Sequence, residues 1–77
     1  MDIREEFARN LRKLRNAKGL SQEELASEAD IDRTYISALE RCVYSATIDT
    51  VAKIAAALGV EPATLLQRSA RSPRGRS

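Results

Sequence analysis

Apolar positions recur at helical spacing along most of the chain. Ile3, Phe7, Leu11 and Leu14 are four, four and three residues apart, which sets them on one face of a first helix. Gly19 stops that helix, with Lys18 in its last turn. Ser21 begins a second helix, and Glu24 three residues on completes a capping box, in which each side chain satisfies the other's backbone N–H. Leu25, Ala26 and Ala29 form its apolar face. Asp30 and Ile31 read as a tight turn. Asp32 reads as the N-cap of a third helix, with Ile36 and Leu39 pointing inward.

Residues 42–46 read as a loop. Thr47 or Ile48 opens a fourth helix with Ile48, Val51, Ile54, Ala55 and Leu58 apolar, and Gly59 ends it. Glu61 and Pro62 start a short fifth helix with Leu65 and Leu66 inside, and Pro62 at its first position, where the missing N–H costs nothing. No segment alternates as a strand would. The pattern predicts an all-α fold, a compact five-helix domain over residues 1–67. Residues 68–77 are rich in Ser, Arg, Pro and Gly with almost nothing to bury, so they are predicted to be a disordered Arg-rich tail.

Composition narrows the function. A chain of 77 residues is one small domain. No apolar run approaches the length of a membrane span, and the N-terminus lacks the apolar core of a signal peptide. The chain has no His and one Cys, which removes a His general base, a His-rich metal site and an internal disulfide. There is no nucleophile–base pair and no Gly-rich phosphate loop. No catalytic residue, metal, cofactor or small-molecule ligand is therefore expected. The single thiol, Cys42, fits a reducing, cytoplasmic compartment as an unpaired loop residue.

Charge changes the picture only locally. Before Gln67 there are nine basic and eleven acidic residues, so the body is near −2, while four arginines give the tail +4. Any basic face must be built by the fold, and the tail adds at most sequence-independent phosphate attraction.

The informative block is QEELASEADIDRTYISALER, from Gln22 to Arg41. Two short helices are joined by a three- or four-residue turn. Ala26 is small where they cross, and Leu25, Ala29, Ile31, Ile36 and Leu39 are apolar where the pair meets the core. This is the helix-turn-helix pattern, whose second helix enters the DNA major groove.

At these residues the chain resembles the lambda-repressor-like (Xre/Cro) DNA-binding family. The resemblance runs through LRKLRNAKGLSQEELASEADIDRTYISALER and TIDTVAKIAAALGVEPATLL and covers roughly residues 7–66. The DRTYIS run and the small size are similar to controller proteins of restriction–modification systems. Asp30 stands where the family usually has Gly, which puts a left-handed residue under strain of about 1 kcal/mol. Cys42 stands where Gly commonly follows the third helix, and Val43 and Ala46 replace residues that are often basic and Pro.

The resemblance implies roles for individual residues. Arg33, Thr34, Ser37 and Ala38 are expected on the outer face of the third helix, reading bases. Arg33 has the fork to bind guanine O6 and N7, Thr34 suits a thymine edge, and Ala38 offers apolar contact only. Ser21 and Gln22 are expected at a phosphate, with Gln22 clamping it at the helix N-terminus. Tyr35 is open between core, phosphate and base contact. Arg41 is open between capping carbonyls and binding phosphate, and Tyr44 between DNA contact and simple packing. Arg15 and Glu40 are expected to join the first helix to the third by a salt bridge.

One short recognition helix reads too few bases, so a homodimer on a palindromic double-stranded site is expected. Val60, Pro62, Leu65 and Leu66 are the expected dimer patch. The function expected is a sequence-specific transcriptional regulator that controls its own expression and a restriction–modification operon. The alternative is an antitoxin-like module that binds a partner protein and represses its own operon.

Overall fold

The computed structural model describes residues 2–68. Five helices follow in order: α1 (Ile3–Ala17), α2 (Gln22–Ala29), α3 (Arg33–Glu40), α4 (Ile48–Leu58) and α5 (Pro62–Leu66). No strand occurs among the described residues. The expected tail lies outside them, apart from Arg68.

The first four helices start where a side chain satisfies an open backbone donor. Asp2 accepts from the Arg4 N–H, Asp32 from Thr34 and Thr47 from Thr50. At α2 the full capping box forms: Ser21 Oγ accepts from Glu24 N at 3.0 Å, and Glu24 accepts from Ser21 N at 2.8 Å. Pro62 starts α5 without any side-chain cap.

The helix ends show where left-handed backbone is required. Gly59 ends α4 at φ 74°, which suits a residue without Cβ. Asp30 takes φ 58° after α2, and Cys42 takes φ 60° just beyond α3. Both are non-glycine residues in a left-handed conformation that favours glycine.

Phe7, Leu11, Leu25, Ile36, Leu39, Ile54, Leu58 and Leu65 build one core, closed by Ala26 and Ala29 where α2 and α3 cross. α1 packs on α3 and α5, α2 on α3 and α4, and α4 on α5. Asn10 of α1 ties down the end of α5: its Nδ2 donates to Leu65 O at 2.9 Å and Gln67 O at 2.7 Å. These bonds satisfy carbonyls that a helix terminus leaves open.

Three placements depart from the sequence pattern. Ile3, expected on the core face of α1, is exposed. Leu65, expected in a dimer patch, is 0% exposed and belongs to the monomer's own core. Glu6 is buried although nothing in the apolar spacing singles it out, and its carboxylate meets Arg9 at 3.4 Å.

Candidate nucleic-acid interface

α2 and α3 are joined by Asp30, Ile31 and Asp32, and the turn is held by Ile31 N donating to Ala26 O at 2.9 Å. Ile36 and Leu39 are buried, which turns the opposite ridge of α3 outward. Arg33 and Thr34 are exposed there, and Ser37 is half-buried one turn later. Arg33 makes no ion pair among the described residues, so its forked guanidinium is available to an outside partner.

Ala38 does not join this ridge. It was expected to touch bases, yet it is 3% exposed. Two contacts explain it. The chain folds back after α3, where Val43 N donates to Ala38 O at 2.9 Å. α1 also crosses the end of α3, where Arg12 Nη1 donates to Glu40 O at 2.9 Å. The C-terminal half of α3 is enclosed, and only its first five residues keep an open ridge.

The first helix holds α3 through charge as well. Arg15 Nε donates to Glu40 Oε2 at 2.6 Å and Arg15 Nη2 to Glu40 Oε1 at 3.0 Å, a forked pair with Glu40 only 4% exposed. Arg15 Nη1 also donates to Leu20 O at 2.8 Å. The hydrogen bond to Glu40 raises the Arg15 pKa above its ordinary value, with burial opposing in second place. The charge of a buried carboxylate at the end of α3 is thus balanced within the fold.

Gln22, expected as a phosphate clamp, turns its amide to the same carboxylate: Nε2 donates to Glu40 Oε1 at 3.0 Å. Nothing in the sequence spacing pointed to this bond, because it joins residues 18 apart on different helices. Ser21 at the same helix end is exposed, with its side chain spent on the cap. Arg41 Nε donates to Ser37 O at 3.3 Å, the carbonyl-capping alternative. Tyr35 is half-buried with its hydroxyl donating to Ser45 O at 3.3 Å. Its ring lies 6.0 Å from that of Tyr44, tilted by 55°.

Beside this face is a second feature. Ile3, Phe7, Tyr44, Ile48, Val51 and Leu66, together with Arg4, line a largely apolar groove of about 240 Å³. Five large apolar side chains are exposed among the described residues, and Ile3, Tyr44, Ile48 and Leu66 all sit in this groove; Val43 is the fifth. The expected dimer residues fall differently. Val60 is half-buried against the core and Pro62 is exposed.

A helix-turn-helix packed on a third helix, with its outer ridge left open, defines a DNA-binding module of the repressor type. A helix-turn-helix family model matches residues 11–65, and the chain belongs to that lambda-repressor-like family. A hypothetical transcription factor of Neisseria meningitidis is 48% identical over 65 residues, covering 84% of this chain and 61% of that protein. The matched region is therefore less than two thirds of that relative. The crystal structure of a Neisseria factor superposes with a TM-score of 0.85 at 46% identity, over 87% of this chain and 77% of that one. The control protein C.BamHI of Bacillus amyloliquefaciens is 46% identical over 66 residues, covering 84% of this chain and 82% of its own. The restriction–modification controller C.Esp1396I, solved as a tetramer with its natural 35 base-pair operator, has a TM-score of 0.78 at 32% identity, covering 84% and 86%. Among the described residues, no helix is long and apolar enough to cross a membrane.

Proposed function

We propose that the chain is a sequence-specific, cytoplasmic transcriptional regulator, not an enzyme, and that it binds a palindromic operator as a homodimer. The observation that carries this is the open ridge of Arg33, Thr34 and Ser37 on a recognition helix braced from behind by Arg15 and Glu40. Arg33 sits in the first turn, the end of the helix that meets base edges in this type of docking. The likeness to control proteins supports control of a restriction–modification operon, with the regulator's own concentration as the signal.

The dimer face is the groove around Ile48, Tyr44 and Leu66, with Ile3 at its edge. Leu65 takes no part, because the monomer already buries it. A second copy is the occupant that would cover four large apolar side chains at once and set two recognition helices in two-fold relation.

Footprinting on DNA upstream of the chain's own gene tests the reading. Protection of two inverted half-sites about one helical turn apart is expected. Binding without sequence preference, or by a monomer, would overturn it.

A further inference from the structure

Glu40 is held from three directions. Its carboxylate accepts both Arg15 nitrogens and the Gln22 amide, and its backbone carbonyl accepts Arg12. It is also the last residue of α3. Whatever fixes Glu40 therefore fixes one end of the recognition helix. The other end is fixed by Asp32, whose side chain caps Thr34 N at 2.8 Å. Between the two lies a helix of eight residues, roughly 12 Å by the rise per residue.

Among these holders Gln22 is distinct. Arg12 and Arg15 both come from α1, whereas Gln22 is the first residue of α2. The orientation of its amide is dictated by chemistry, since a carboxylate only accepts and so must face the NH2 end. An NH2 group carries two hydrogens. One is committed to Glu40, and the second remains for an acceptor at the start of α2, where the helix dipole favours an anion.

We propose that Gln22 is a positioning residue for base readout. Its bond to Glu40 sets the end of α3 against the start of α2. The register of Arg33 is thereby tied to how α2 is seated. This rests on the DNA-binding reading given above.

The experiment replaces Gln22 by Met, which keeps the length and removes the donors. Affinity is measured for the selected operator and for an unrelated duplex, with melts to confirm folding. The Arg15 Nε–H proton is followed by NMR in the free protein. A side chain that only clamps phosphate carries no base information, so its loss lowers both affinities alike. Positioning predicts that operator affinity falls about tenfold more than unrelated-duplex affinity, the scale of one charge-assisted hydrogen bond. It also predicts a shifted, faster-exchanging Arg15 Nε–H, because Glu40 has lost a partner. An unchanged affinity ratio overturns the proposal, whatever the resonance does. A wild type with no preferred sequence overturns the DNA-binding reading itself, and the positioning role falls with it.

Discussion

Leu65 and Leu66 are neighbours in the chain and opposites in burial. Leu65 is 0% exposed inside the core, while Leu66 is 40% exposed at the lip of the apolar groove. One helical step of 100° separates a residue buried in the monomer's core from one left open on its surface. Leu66→Lys should therefore melt like wild type yet sediment as a monomer in analytical ultracentrifugation. Ile48→Lys, at a side chain 87% exposed at the start of α4, should do the same. Leu65→Ala should instead cost about 2–5 kcal/mol of stability, as deletions in a packed core do. Dimers that survive both lysine substitutions would remove the groove as the dimer face.

Asp30 is strained twice. Its φ of 58° brings Cβ close to the following carbonyl, and its carboxylate sits at the negative end of α2. Asp30→Gly relieves both, and should raise stability by up to about 1 kcal/mol, less what glycine adds to the freedom of the unfolded chain. For a domain this size that is a melting rise of about 4–8 °C per kcal/mol. Cys42→Gly relieves the same backbone strain but loses the contact of Cys42 Sγ with Arg4 O at 3.6 Å, so its gain should be smaller. Melting points in the order Asp30→Gly, Cys42→Gly, wild type are expected; a lower melting point for Asp30→Gly would contradict the strain argument.

The helix ends were legible because capping is local. Ser21 with Glu24, Asp32, Thr47 and Gly59 each act within four residues of themselves, so a one-dimensional reading finds them. The outward ridge of Arg33, Thr34 and Ser37 was legible for the same reason, since helical period alone turns it away from Ile36. Ala38 and Gln22 were not, and Leu65 read both as inside α5 and as part of a dimer patch, of which the fold keeps the first. Ala38 lies one turn from Thr34, and only the crossing of α1 and the fold-back at Val43 cover it. Leu65 is buried by α1 and α4 packing on α5, and Gln22 turns inward because a carboxylate 18 residues away accepts its amide. Each of these depends on which helices meet, and spacing within one helix does not encode that.

Removing one partner of the Arg15–Glu40 pair leaves the other charge enclosed. Arg15→Met or Glu40→Leu alone should cost about 3 kcal/mol, near the lower end for buried pairs because the Arg15 side chain keeps some contact with water. The double variant should recover much of that, since an apolar replacement leaves no orphaned charge. Its raised pKa means that the arginine's share of stability is complete below the ordinary arginine value and is lost only as pH rises through the still higher folded value. Thermal melts of the singles and the double between neutral and moderately alkaline pH should therefore keep the same spacing. A double variant no more stable than the worse single would show that the pair is not what holds α3 to α1.

Arg33 bears the most specific claim about function. It is exposed in the first turn of α3, makes no ion pair among the described residues, and has a planar fork that matches the two acceptors of guanine in the major groove. Its neighbour Asp32 caps Thr34 N and forms no ion pair with Arg33 among the described residues. Arg33→Ala should cost about 1–3 kcal/mol per half-site and relax preference at a single guanine position. Ala38→Ser gives the contrast. A hydroxyl added at this buried position should alter stability while leaving the selected sequence unchanged. Binding-site selection with wild type and both variants, together with melts, separates these outcomes. An Arg33→Ala protein that melts normally and selects the wild-type sequence with undiminished preference would refute the assignment of α3 as the reading helix.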